Sequence, residues 1–318
     1  MLEIIPKDIK VNFVGHRYVW LAISTALVVV SVVLLMSRGF NYGIDFVGGA
    51  EIQLKFDKPV SVSELRDLLG GGGLGNLVIQ QLGETQQNEF LVKLRGEDAE
   101  SQEIIFKMES SLSQKMQKAD FEIQRVDVVG EQAGKALRKS GFLSMFYALL
   151  CILVYVAVRF DYRYGPGAVV ALAHDVILTM GIFSLTQKEF NLQIVAAILT
   201  VIGYSNNDTI IVYDRIREAL IRYPNRTFKD NVNRSINETL SRTLLTSLFT
   251  LLVVVALMVL GGGVIYDFAF TMMIGILVGT YSSIFIASPI LILVTDWQQR
   301  RLKKVASMKN TPLIAPRP

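Results

Sequence analysis

Apolar residues fall in runs of bilayer length over much of this chain. Tyr18–Met36, Gly141–Val158, Gly165–Leu185, Leu192–Tyr213, Thr243–Leu260 and Phe268–Val294 each approach or exceed the ~20 residues that a helix needs to cross a hydrocarbon core. They predict six transmembrane helices. The first run is longer than the ~7–15-residue apolar core of a signal peptide and no small-residue cleavage site follows it, so it reads as an anchor. Between residues 39 and 139 the pattern changes. "GAEIQLKF", "NLVIQQLG", "NEFLVKLRG" and "FEIQRVDVV" alternate as strands, "SVSELRDLLGG" is a short helix opened by a serine, and "EDAESQEIIFKMESSLSQKMQ" has the 3.6-residue period of an amphipathic helix. The order βαββαβ is that of the ferredoxin-like split unit.

These elements predict a polytopic α-helical membrane protein with an α/β domain between helices 1 and 2. The divisions fall at residues 1–38, 39–139, 140–296 with a polar loop at 214–242, and a basic tail at 297–318. Composition agrees, since 51% of the 318 residues are hydrophobic and only 19% are charged. The net charge of +4 is small for this length and calls for no nucleic-acid partner. Basic residues do set an orientation. Lys10, Arg17, Arg159, Arg163, Arg226, Lys229, Arg300 and Lys303 gather in the loops and tails of one side, whereas the short loops of the other offer only Lys188. The positive-inside tendency then puts both termini in the cytoplasm and the α/β domain outside, with Lys135, Arg138 and Lys139 in opposition.

The fourth run is interrupted by Ser205, Asn206, Asn207 and Asp208. Four consecutive polar residues occupy nearly the whole circumference of one helical turn, so this span is expected inside a bundle. A buried carboxylate needs a partner or a watered path. Arg242, at the start of the fifth run, is the favoured partner, and Arg215, seven residues on, is the other candidate. Burial favours the neutral acid and a guanidinium favours the carboxylate, so small rearrangements could switch the group between states. Two readings stay open on these residues: a proton switch, or hydrogen-bonding glue between helices. A membrane aspartyl protease, suggested by Tyr213-Asp214, lacks its glycine-rich partner motif in the later runs. No enzyme and no cofactor is expected.

His174 and Asp175 stand inside the third run and join the candidate polar network, as does Asp214. With two histidines and a single cysteine, Cys151, in an apolar run, no metal site or disulfide is expected. Gly275, Gly279, Ser283 and Ala287 recur every four residues in the sixth run and would let another helix approach closely. The run Gly70–Gly73 reads as a loop rather than a phosphate cradle, for want of a GK[ST] frame. The basic segment after Arg217 is either a solvated loop or a surface lying on anionic lipid.

"NYGIDFVGGAEIQL", "VRFDYRYGPGAVVALAHDV", "AAILTVIGYSNNDTIIVYDRIRE", "NRSINETLSRTLLTS" and "DFAFTMMIGILVGTYSSIFIASPI" together resemble the SecF family, the smaller membrane subunits of the SecD–SecF export complex in the resistance-nodulation-division superfamily. The resemblance runs nearly end to end. It implies six spans, a periplasmic domain and residence in the bacterial cytoplasmic membrane. It also implies SecD and the SecYEG translocon as partners, YidC and YajC as further candidates, and an exported unfolded polypeptide moved with the proton-motive force. It carries the proton pathway onto Asp208 and Arg242. Ala50 departs from the family, where threonine often follows the glycine pair. A structural scaffold, or half of a small-molecule or lipid exporter, are the alternative functions.

Overall fold

The computed structural model describes residues 10–70, 77–82, 88–95, 106, 108–110, 112–113 and 120–309. Among these, six helices are long and apolar enough to cross a membrane. They are α1 (Arg17–Arg38), α4 (Glu131–Arg159), α5 (Gly165–Thr186), α6 (Leu192–Arg222), α7 (Phe228–Leu260), and a sixth built from α8 (Gly262–Ser282), a π-helical turn (Ser283–Ala287) and α9 (Ser288–Lys309). Two short helices, α2 (Ile44–Val47) and α3 (Val62–Gly70), lie between α1 and α4. Helices α5 and α6 form the middle of the bundle, where Ala171, Leu172, Ile198 and Ile202 are buried. Val29, Val33, Val154, Val158, Val253 and Val259 on α1, α4 and α7 stay exposed. Such an apolar surface suits hydrocarbon rather than water.

The helices run past the apolar lengths that announce them. α6 and α7 continue as polar helix to Arg222 and from Phe228, so the segment 214–242 is mostly two helix extensions joined by a short turn. Thr227 caps α7 by accepting from the Asp230 amide at 3.2 Å. Hydropathy marks the immersed stretch, whereas capping and turn residues mark the helix ends.

The strands β2 (Gly49–Phe56), β3 (Leu77–Leu82), β4 (Glu89–Arg95) and β5 (Phe121–Val129) form one sheet in the order β3-β4-β2-β5. All neighbours are antiparallel. This is the ferredoxin-like arrangement, in which a hairpin strand enters between the two strands of a split βαβ unit. Alternation in β2 and β4 puts Ile52, Leu54, Phe90 and Val92 in the core with Leu65 and Leu69 of α3. Of the second expected helix, Phe106, 108–110 and 112–113 are described and helical, with Met108 and Leu112 fully buried against that core. The rest of it, and the loop after Gly70, lie outside the described residues.

Two strands of two residues escape the alternation rule. β1 (Asn41–Tyr42) pairs in parallel with β6 (Glu189–Phe190), joining the segment after α1 to the turn between α5 and α6. The pair Gly48-Gly49 comes next after α2, with φ of +90° and +147°. A side chain on Gly49 would meet the Leu94 carbonyl, so β2 can pass beside β4 there only as glycine. At the other end of the sheet domain, one residue separates β5 from α4, which runs without a break from the sheet into the membrane.

Candidate functional site

The polar turn of α6 is divided by the helix period. Ser205, Asp208 and Thr209 share one face and are buried, Asn206 is half-buried, and Asn207 is exposed along with Gly203. Asp208 is 1% exposed. Among the described residues neither of its carboxylate oxygens has a hydrogen-bond partner, and the same holds for Asn206 Oδ1, Thr209 Oγ1 and Thr243 Oγ1. The Arg242 guanidinium acts on Asp208 electrostatically but makes no ion pair with it among the described residues. Arg242 lies exposed on α7. The other candidate cation is engaged elsewhere. Arg215 binds Glu238 and Glu218, each at 2.5 Å. Asp214 is exposed and lies 3.8 Å from Arg159.

A second carboxylate, on α5, has the opposite surroundings. Asp175 is fully buried, and its Oδ2 accepts from Ser205 Oγ at 2.6 Å and from Ser282 Oγ at 2.8 Å. Its Oδ1 lies 3.0 Å from His174 Nδ1. One side chain thus ties α5, α6 and α8 together. The His174 ring faces Tyr281, whose hydroxyl is 2.8 Å from Ser24 Oγ on α1, so polar contacts extend across four helices. Ser282, Tyr281 and Ser24 were not evident from spacing. The one local signal was the Tyr-Ser-Ser cluster inside the sixth run.

Small residues make this convergence possible. A side chain on Gly279 would lie 2.8 Å from Ser205 Cβ, and one on Gly275 would run into Val201, so the Gly275–Gly279 face seats α8 on α6 within this chain. Ser283 and Ala287 are buried in the π turn, which also packs against α6. There the Ala287 carbonyl accepts from the Tyr213 hydroxyl of α6 at 3.1 Å. Among the described residues no three His, Cys, Asp or Glu side chains cluster as a metal would require.

The helix carrying Asp208 is also anchored at its first turn. Asn191 Oδ1 accepts from the Ile194 amide at 3.0 Å, and Asp45 Oδ2 accepts from the Leu192 amide at 3.0 Å, placing a carboxylate at the positive end of α6. Beside this cap, Lys93 of β4 pairs with Glu189 of β6 and with Glu51 of β2 at 3.4 Å. Burial works against the Lys93 charge, but attraction to Glu189 and Glu51 outweighs it and raises the lysine above its ordinary pKa. Lys188 reaches Asp267 of α8 at 2.7 Å.

Residues 108–297 match the family described as protein export membrane protein SecD/SecF, C-terminal, and residues 33–60 match the SecD/SecF GG motif. The chain is 45% identical over 312 residues to the protein translocase subunit SecF of Magnetococcus marinus, covering 98% of this chain and 100% of that one. It is 44% identical to the SecF of Calditerrivibrio nitroreducens, covering 94% and 99%. The crystal structure of SecDF, a translocon-associated membrane protein from Thermus thermophilus, superposes with a TM-score of 0.79 at 38% identity. That match covers 93% of this chain and 40% of the other, so the chain spans about two fifths of the solved protein's length.

Proposed function

The chain belongs to the SecF family, and from that membership we propose that it is a proton-coupled subunit of the Sec export machinery, paired with SecD beside the SecYEG channel. In this reading it resides in the cytoplasmic membrane with both termini inside, and the sheet domain faces the periplasm and the emerging polypeptide. It acts by changing shape, not by making or breaking covalent bonds of a substrate.

The observation that carries the proposal is Asp208, a carboxylate inside the bundle with both oxygens unpartnered among the described residues. A buried acceptor left unmade costs about 1–3 kcal/mol, more when charged. A proton arriving at Asp208 removes most of that cost, and the nearby Arg242 favours its departure. One elementary charge moved across 100 mV is worth ~2.3 kcal/mol, enough to shift a two-state equilibrium about fiftyfold per cycle. The step reaches the sheet domain through the first turn of α6, where Asp45, β1 and Lys93 hold the helix and its preceding strand. The orphaned hydroxyls of Thr209 and Thr243 supply further groups along which a proton can be handed by water.

Asp208→Asn keeps the shape of the side chain and removes the titratable group. In inverted membrane vesicles the variant should lose the proton-gradient dependence of late export while still co-purifying with SecD. Unchanged gradient dependence would refute the assignment. The rival reading, a scaffold whose buried polar groups only hold helices together, draws on the Asp175 network and foresees full gradient dependence in Asp208→Asn.

A further inference from the structure

Two cavities lie end to end along α7. The first, of about 860 Å³, opens where the start of α7 meets the residues leading into α1, and is lined by Lys10, Arg17, Arg226, Lys229 and Arg234 against only two carboxylates, Asp230 and Glu238. Arg234 is bound to Glu238 at 2.6 Å and Lys229 to Asp296 at 3.0 Å. Among the described residues Lys10, Arg17 and Arg226 have no carboxylate partner, and the buried Arg17 Nε makes no hydrogen bond. The wall opposite α7 is held firmly. Asn237 Oδ1 accepts from the Val11 amide at 2.9 Å and Asn233 Oδ1 accepts from the Val14 amide at 3.1 Å.

The second cavity, of about 560 Å³, begins at Leu240, just beyond Glu238 on the same helix, and runs between α7 and α8, lined chiefly by Leu244, Leu248, Leu251, Leu277 and Phe285. Phe13, which lines it, is flanked by Asn12 and Val14 of the first cavity, so one short segment borders both the basic cavity and the apolar furrow. Trp20, Tyr281 and Phe285 pack together near that junction, with the Trp20 and Phe285 rings 4.5 Å apart. Aromatic clusters of this kind mark the depth of the headgroups.

We propose that the two neighbouring cavities together bind one anionic glycerophospholipid, with its phosphate among Lys10, Arg17 and Arg226 and one acyl chain along the furrow between α7 and α8. An excess of cations at headgroup depth attracts anionic lipid and repels the trimethylammonium of a zwitterionic one. The furrow adds shape, and it requires a ligand with a tail. Free phosphate shares the headgroup chemistry but leaves the furrow unused.

The test is native mass spectrometry of the full chain in mild detergent, offered equimolar phosphatidylglycerol and phosphatidylcholine with matched acyl chains. One phosphatidylglycerol should be retained in preference. The Lys10→Gln/Arg226→Gln double variant should retain it about thirtyfold less, whereas Arg222→Gln/Arg300→Gln, which removes the same charge away from the cavity, should retain it as the parent does. Leu248→Trp, which fills the furrow from its exposed side, should weaken the lipid. All variants are compared at equal thermal midpoints, so that loss of fold is not read as loss of site. Equal retention of the two lipids, or equal loss in the control variant, overturns the proposal. Displacement of phosphatidylglycerol by millimolar inorganic phosphate, with Leu248→Trp silent, overturns it in favour of a free-anion site.

Discussion

Asp175 and Asp208 sit on adjacent helices in opposite circumstances, and substitution should separate them. Asp175 is satisfied on both oxygens by His174, Ser205 and Ser282. Asp175→Leu strands His174 and Ser205, at about 1–3 kcal/mol for each orphaned group, while Ser282 keeps the Gly279 carbonyl; it should lower the unfolding midpoint in detergent, and Asp175→Asn, which keeps an acceptor, should fall between. Asp208→Leu removes two unpartnered oxygens and should leave the midpoint unchanged or raised. The pattern of residues announced both acids, because a carboxylate in an apolar run stands out wherever it falls. It could not rank them by their contacts. The partners of Asp175 come from runs 30 and 107 positions away, and a serine in an apolar helix carries no mark of the residue that it meets.

At the scale of elements, the same contrast between local and distant signals decides what was legible. The strands of the sheet domain, including "GAEIQLKF" and "FEIQRVDVV", match β2 and β5 residue for residue, because alternation is a local property of a half-buried strand. The strands β1 and β6 were invisible, since two residues hold no period and their pairing joins segments some 150 residues apart. The π turn was likewise hidden, since nothing in the spacing of Ser283 and Ala287 marks the extra residue in the helical repeat. Gly275→Val should force α8 away from Val201 and destabilise the bundle by about 1–3 kcal/mol, read as a lower thermal midpoint. Asp45→Ala removes an anionic acceptor from the first turn of α6, worth about 1 kcal/mol. Hydrogen exchange at the Leu192 amide should then speed up about fivefold.

At the scale of the molecule, the sheet domain is held at its base by β1, Asp45 and Lys93. The raised pKa of Lys93 gives this tie a pH signature. Its contribution is fully present below the ordinary lysine value of ~10.4 and is lost as pH rises through the higher folded value. Thermal midpoints measured from pH 9 upward should fall more steeply for the parent than for Lys93→Met, and parallel curves would show that the tie holds nothing. A second connection leaves by α4, where 29 residues run from just beyond β5 to Arg159 in one uninterrupted helix. At 1.5 Å per residue this is a rod of about 44 Å. With no joint between its halves, a tilt of about 5° at the Arg159 end displaces the Glu131 end by about 4 Å. The sheet therefore has a lever rather than a leash, and any swing of that domain must be registered at the far surface of the membrane.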